Sequence, residues 1–451
     1  MKPVRNPKNK RFYKNVKLSK KQAKISNGLK ILVVGSGGRE DALAWKLGQS
    51  PLVSKIYCGP GNGGICSRPK TERLSIKADD IFGLADFAQE NQIDLTVVGP
   101  EAPLVAGISD LFEKRGLKIF GPKKKAAQLE GSKIFAKNFM KKYGIPAAGF
   151  ENFSKPEKAR EYALKNLPIV IKADGLAGGK GVVICFNRDD VLKTIERLML
   201  KKEFGVSGNR VVVEKFLEGE EATFMILTDG EKFITLLPTQ DHKAVFDGDR
   251  GENTGGMGAY APAPIIDKEM ESKIIKEIVK PTLAGFKKEG IIYHGCLYFG
   301  LMICADGPKL LEFNCRFGDP EFQPLAMLME SDFVPVLKEI ADGKLSRKEI
   351  KWKKGAAVCV IMAAGGYPGK YETGKEIKGL EEAEKMEDVV VFNAGVSKEN
   401  GILKTAGGRV LGVTVRGRGL KEAIALDYQA VAKIHFEGEH YRTDIGQKAL
   451  R

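Results

Sequence analysis

The sequence predicts a chain of several α/β and α+β domains, on three observations. Over roughly residues 28–125, short apolar strands alternate with helical stretches, the pattern of an open α/β sheet. Further on, two apolar runs at 168–172 and 182–186 flank a glycine-rich tip and read as a hairpin with a long flexible end. At 356–362 the pattern restarts with a new strand, and the last hundred residues read as a small α+β domain. The 451 residues suffice for two to four packed domains, and 43% hydrophobic composition supplies their cores.

Element by element, residues 29–34 read as a buried parallel strand, followed by a glycine turn and a helix over about 39–47. Residues 93–98 read as a second buried strand and 117–120 as a third, each ending in Gly-Pro. A single helix over about 124–142 is expected to lead out and stop at Gly144-Ile145-Pro146. Strands are expected at 210–216 and 222–227, long polar loops over 238–264, and a helix over about 267–288. Two strands, 295–304 and 309–313, complete the middle region.

Composition narrows the function class. The formal charge is +16, but ten cationic residues and no acid fall in residues 1–27, which leaves +6 on the remainder. That tail has little apolar content and is expected to be disordered and solvated. The body lacks a basic stripe interleaved with aromatics, so specific nucleic-acid binding is not expected. No run approaches the ~20 apolar residues of a membrane span, and no secretory h-region stands near the start. Seven cysteines without a C-x-x-C pair imply free thiols in a cytoplasmic protein. Four histidines with no zinc spacing point away from a zinc site.

Five segments carry chemistry. Gly35-Ser36-Gly37-Gly38-Arg39-Glu40 resembles a dinucleotide fingerprint but has Glu40 in place of the third glycine. It still offers backbone N–H groups at a helix start, where an anion can sit; a plain tight turn would use the same glycines. The segment from Lys172 to Gly181 is one residue short of a Walker A loop and lacks its Ser/Thr. It reads as a mobile flap, with Lys172 at the strand end and Lys180 at the tip, able to close over a triphosphate and exclude water. Around Glu214 to Glu221 a strand runs into a short linker whose backbone suits an adenine edge, with Glu221 placed to accept from ribose. On the strand through Glu312, Asn314 and Arg316, alternate side chains share one face. Two oxygen donors beside a cation fit magnesium on nucleotide phosphates, while Phe313 and Cys315 pack behind. Finally, Gln240-Asp241-His242-Lys243 leads to Asn253-Thr254-Gly255-Gly256-Met257-Gly258, a loop suited to folding over a substrate. His242 is expected to brace that loop rather than act as a base. No Ser–His–Asp or Cys–His pairing supports an acyl-enzyme.

In this order, these runs resemble the ATP-grasp superfamily, and within it the phosphoribosylamine–glycine ligases. The marks are ILVVGSGGRE (31–40), GPEAPLVAG (99–107), AAQLEGSK (126–133), IKADGLAGGKGVV (171–183), EKFLEGEEATF (214–224), QDHKAVFDGDRGENTGGMGAY (240–260), EFNCRFGDPE (312–321), AAGGYPG (363–369) and TAGGRVLGVT (405–414). The resemblance implies an N-terminal α/β domain (28–128), an ATP-grasp core (129–345) with a mobile lid at about 147–220, and a C-terminal domain (350–451); the basic tail (1–27) lies outside it. It implies ATP with Mg2+ or Mn2+, the small-molecule substrates glycine and 5-phosphoribosylamine, and a monomer. Carried over by position, Lys133, Lys172, Gly178, Gly179 and Lys180 would contact ATP phosphates. Glu214, the backbone of Lys215 and Leu217, and Glu221 would hold the nucleoside. Glu312 and Asn314 would bind the metal, and Arg316 would face the transferred phosphoryl, with Lys180 and Asp241 assisting the chemistry. Asp241 and Lys243 are expected on the glycine side. Gly35, Gly37, Gly38, Asn62 and Glu101 are expected at the sugar phosphate. Asp41 stands where such enzymes have His, beside the expected phosphate seat.

Overall fold

The computed structural model describes residues 28–178 and 180–450. The basic tail expected over 1–27 and the flap residue Gly179 lie outside the described residues.

The first region is an open parallel sheet. Its strands are β1 (Leu29–Gly35), β2 (Val53–Pro60), β3 (Thr71–Arg73), β4 (Leu95–Val98) and β5 (Ile119–Phe120), in the order β3-β2-β1-β4-β5. β1 lies central, and Ile31, Leu32, Val33 and Val34 are fully buried. That explains its uninterrupted apolar run. β2 and β3 escape the sequence pattern because Ser54, Lys55, Glu72 and Arg73 break it.

The helix expected over 124–142 is two helices, Lys124–Gly131 and Lys133–Lys142. Gly131 weakens the first, and Ser132 adopts an extended conformation (φ −143°, ψ 114°) to cap the second by accepting from Phe135 N at 3.1 Å. The break places Lys133 at the start of a new helix. The Ser132 hydroxyl also donates to Asp174 at 2.8 Å, tying this corner to the root of the flap.

The lid is a four-stranded sheet of β6 (Phe150–Phe153), β7 (Ile169–Ala173), β8 (Val182–Cys185) and β9 (Val211–Lys215), ordered β6-β9-β7-β8. β7 and β8 form the expected antiparallel hairpin, with Lys172 opposite Val182. Helices Pro156–Lys165 and Arg188–Ile195 cover one face through Ala159, Ala163, Val191 and Ile195. The other face is left toward the rest of the protein.

β10 (Glu220–Thr228) and β11 (Phe233–Thr235) open the core sheet. The stretch expected as polar loops then folds instead as β12 (Gln240–Asp241), β13 (Ala244–Phe246), β14 (Arg250–Asn253) and β15 (Gly258–Ala261). Its small residues hid strands that pack at close quarters: β15 is wholly buried. The helical stretch Lys268–Ile274 is capped by Asp267 and continues to Glu289 through a wider turn at Ile275–Val279. β16 (Gly295–Cys304) and β17 (Gly307–Asn314) complete a sheet ordered β11-β10-β16-β17.

The last region is built on β18 (Ala356–Ala364), buried at all nine positions. β19 (Val389–Asn393), a small ribbon of β20 (Val396–Glu399) and β21 (Ile402–Thr405), and β22 (Arg409–Gly417) follow. The main sheet runs β12-β15-β18-β22-β19. Residues 240–261 therefore lend two strands to the C-terminal sheet, so the substrate-loop segment is anchored there. All seven cysteines are free. Among the described residues, no helix is long and apolar enough to cross a membrane.

Candidate active site

A cavity of about 450 Å³ lies between the open face of the lid, the core sheet and the edges of both flanking domains. Ala148, Val170, Ile184, Phe216, Leu217, Met302 and Leu311 supply apolar walls. Such a slot suits a planar base, with the backbone of the β9–β10 linker along its edge.

Beside this slot the charges come in pairs. Glu214, 2% exposed at the end of β9, has one carboxylate oxygen within 3.0 Å of the Lys172 ammonium and 2.9 Å of Lys137, while its other oxygen has no partner. Burial would push the Glu214 carboxyl up, but the two lysines hold it below its usual value. Lys133 pairs with Glu312 on β17 at 2.7 Å. Burial acts against ionisation of Glu312, and Lys133, Lys243 and Lys172 override it and hold the carboxyl far below the ordinary range. Glu221 pairs with Lys243 at 2.5 Å. Asp241, at the entry to the 240–261 segment, is pushed up to about 7, chiefly by burial, with Glu321 and Glu221 adding to the rise against Lys243's opposition.

As expected from alternation on a strand, Glu312, Asn314 and Arg316 all line the cavity, and Phe313 and Cys315 pack into the core behind. The Arg316 guanidinium approaches Glu130 at 3.1 Å and Glu101 at 3.5 Å, and donates to Asn314 Oδ1 at 3.2 Å. Glu130 accepts from Cys315 N at 2.6 Å and is pushed up to about 7 by burial.

The structure brings Lys133, Lys172, Gly178, Glu214, Lys215, Leu217, Glu221, Glu101, Asp241, Lys243, Glu312, Asn314 and Arg316 to this one cavity. Lys180 stands apart: its ammonium donates to Pro368 O of the C-terminal region at 2.7 Å. A smaller cavity of about 340 Å³ adjoins the first and shares Arg39, Pro100 and Asp319 with it; Gly35 and Gly37 line it. Four expectations for this end are corrected by the structure. The anion seat at the glycine turn is taken by the protein itself, because Glu40 accepts from Gly37 N at 2.6 Å. Asn62 lines neither cavity: its amide donates to Ser36 O and Asn393 O and accepts from Gly64 N, which braces the loop. Gly38 also lies outside both, packed beneath Gln323. Asp41 does not sit beside the seat. It is fully buried, bound at 2.6 Å by Arg68 and at 2.7 Å by Asn393 N, and pins the first helix to β19.

His242 braces, as expected. It is 2% exposed, accepts from Gly446 N through Nε2, and is held neutral, pushed down to about 3 by burial and by Lys448 and Arg442.

Sequence reasoning missed Arg39 and Arg409. Arg39 donates to Glu40 at 2.6 Å and to Phe317 O at 2.9 Å. Arg409, at the start of β22, donates at 2.7 Å to both Gly255 O and Asp319 O and lies 3.2 Å from the Asp319 carboxylate. The run GGRVLGVT holds no sign that a residue so far along the chain reaches the cavity.

A lid sheet facing a core sheet, with Lys172 of the lid and Lys133 of the adjoining helix turned to Glu214 and Glu312, is the architecture of an ATP-grasp protein. Solved structures agree. The biotin carboxylase domain of a Hydrogenobacter thermophilus 2-oxoglutarate carboxylase, solved with MgADP, superimposes with a TM-score of 0.71 over 91% of each chain at 18% identity, which shows the fold. The phosphoribosylamine–glycine ligase of Thermotoga maritima superimposes with a TM-score of 0.80 at 36% identity, over 92% of this chain and all of that one. The profiles of the phosphoribosylglycinamide synthetase N domain, ATP-grasp (A) domain and C domain match residues 29–130, 131–322 and 357–448. Curated phosphoribosylamine–glycine ligases of Allochromatium vinosum and Clostridium acetobutylicum are each 50% identical, over 94% and 93% of this chain and 99% and 100% of theirs. The chain belongs to the phosphoribosylglycinamide synthetase family.

Proposed function

We propose that the protein joins glycine to 5-phosphoribosylamine at the expense of ATP, giving glycinamide ribonucleotide, ADP and phosphate, a step of purine biosynthesis. The observation that carries this reading is the single cavity in which Lys133, Lys172, Glu214, Glu312 and Arg316 converge beneath the lid, in a chain of this family. A carboxylate does not react with an amine at neutral pH, so a leaving group must first be installed. Glycine's carboxylate oxygen attacks the γ-phosphorus, the bond to the bridging oxygen breaks, and ADP leaves. The amine then attacks the glycyl phosphate carbonyl, phosphate departs, and a proton is lost as the amide forms.

In this reading the base lies in the apolar slot with Glu214, Lys215 and Leu217 at its edge and Glu221 at the ribose. Lys133 and Lys172 face the phosphates, and the flap with Gly178, Gly179 and Lys180 closes over them, Lys180 leaving Pro368 to do so. Arg316 sits at the transferred phosphoryl, held in place by Glu130. Asp241 receives glycine's ammonium and Lys243 its carboxylate. Because the buried Asp241 carboxyl ionises only near neutrality, a bound cation is what stabilises its charge. Acceptor binding falls to Glu101, Arg39 and Arg409 and to the smaller cavity that Arg39 borders.

Glu312 and Asn314 fit a magnesium or manganese ion carried by the nucleotide. Glu312 is ionised, both donors are hard oxygens on one strand face, and no cluster of three or more metal-binding side chains occurs among the described residues. Two protein oxygens with phosphate and water oxygens is how Mg2+ is ordinarily held. Bound there, the metal would offset charge on the phosphates during transfer.

The test is ADP release by purified protein with Mg–ATP and glycine, with and without freshly generated phosphoribosylamine. Release that requires both, with glycinamide ribonucleotide as product, is expected. Turnover with glycine and some other amine alone would move the acceptor assignment, and absence of nucleotide turnover would remove the proposal.

A further inference from the structure

Lys137 lies one helical turn after Lys133 on the same face of Lys133–Lys142. Lys133 reaches the cavity; Lys137 does not. Its side chain is 1% exposed, and its ammonium lies 2.9 Å from a Glu214 oxygen, an ion pair without hydrogen-bond alignment. Glu214 uses one oxygen for both Lys137 and Lys172, and its other oxygen, buried and without a partner, belongs to a residue lining the apolar slot. A buried unpaired acceptor beside a slot for a planar base calls for a donor from the ligand.

We infer that Lys137 is a positioning residue that holds Glu214 fixed and ionised for recognition of the exocyclic amine of adenine. The inference rests on placing the nucleoside at Glu214, as proposed above. Two lysines on one carboxylate oxygen have a use once a triphosphate arrives. Lys172 lines the cavity and turns to the phosphates, which removes half of the charge that compensates Glu214. Without Lys137 the carboxylate would be left buried and unpaired, a costly state relieved by taking up a proton or by pulling Lys172 back. A protonated Glu214 is a poorer acceptor. Lys137 stays behind the carboxylate whatever Lys172 does. One glutamate can therefore read the base while its neighbouring lysine serves the phosphates.

The experiment compares KM for ATP with the inhibition constant of adenosine, which has no phosphates, in Lys137→Met, Lys172→Met and Glu214→Leu. For Lys137→Met the ATP constant should rise by on the order of tenfold and the adenosine constant by less, because Lys172 stays on Glu214 when no phosphate draws it away, with KM for glycine unchanged. For Lys172→Met the ATP constant should rise far more than the adenosine constant. A general structural defect would move glycine and nucleotide constants together. In Lys137→Met combined with Lys172→Met, where Glu214 has neither lysine, adenosine should bind more weakly than in Lys172→Met alone; if it does not, Lys137 does not act through the carboxylate and the inference is overturned, as it is if Lys137→Met changes neither constant. If Glu214→Leu leaves adenosine binding intact, the nucleoside placement itself fails. Should Lys137→Met not fold, Lys137→Gln, which keeps a donor of similar length without the charge, answers the same question.

Discussion

At the nucleotide end of the cavity, Lys133 and Lys172, with Lys137 buried behind them, face the carboxylates of Glu214 and Glu312; at the other end, Arg39, Arg316 and Arg409 crowd around Asp319. The arginines come from the N-terminal sheet domain, the core strand and the C-terminal sheet, and Arg409, Arg39 and Arg316 together outweigh burial to keep Asp319 ionised. Arg39 and Arg409 are also fastened to backbone carbonyls, by bonds of 2.7–2.9 Å. A lysine is a point charge on a flexible stem that can turn from an acid to an arriving phosphate, whereas an arginine braced at its fork keeps its place. The contrast suggests an end that rearranges as the nucleotide loads and an end that waits preformed.

The largest effect expected from this contrast is at Glu312. Glu312→Gln removes the ionised donor of the metal and strands Lys133 together, and kcat/KM should fall by on the order of a thousandfold. Raising Mn2+ should restore only part of it, measured by ADP release. Little change would mean that the lysine end does not handle the phosphates. A second effect is on stability. Asp41→Asn leaves the 8%-exposed Arg68 guanidinium without its carboxylate, and breaking such a pair costs about 3–5 kcal/mol. The melting temperature should drop, while KM for every substrate at low temperature stays as in the parent. A raised acceptor KM would place Asp41 in binding after all.

Next comes Arg409→Met, which tests whether the arginine end serves the acceptor. KM for phosphoribosylamine should rise by roughly ten- to a hundredfold, with those for ATP and glycine unchanged. A matched rise in all three would make Arg409 a brace for Gly255 and Asp319 only.

The same contrast governs what could be read from the sequence. The lysine end rests on short contiguous runs: a β-strand alternation places Glu312 and Asn314 on one face, and the flap declares itself by glycines that no packed element needs. The arginine end is assembled from residues more than three hundred positions apart, such as Arg39 and Arg409, and no local periodicity carries that information. Even there the local signal misled. The glycine turn at Gly35–Gly38 looks like a free anion seat, but Glu40, three residues on from Gly37, folds back as its own cap. Among the elements, long apolar runs such as β1 and β18 were plain. β12–β15 were hidden because β18, the partner of β15, lies a hundred residues away, β13 and β14 pair only with each other, and the glycines and alanines among them read as loop.

Between the two ends sits Asp241, and its titration gives the smallest but most specific test. Its carboxyl is pushed up to about 7 in the folded protein, mainly by burial, from an ordinary value of 3.8. A folded pKa above the unfolded one means that the folded protein holds a proton the unfolded chain has released. This contribution is full below about pH 4 and is lost as pH rises through about 7. Asp241→Asn removes the titration, so the ligand-free variant should melt a few degrees higher than the parent at pH 8 and alongside it near pH 4. Glycine should narrow the gap at pH 8, because its ammonium supplies the cation that the buried carboxylate lacks. A gap that glycine leaves unchanged would detach Asp241 from the glycine ammonium and leave Lys243 and Glu221 as the residues around which glycine is held.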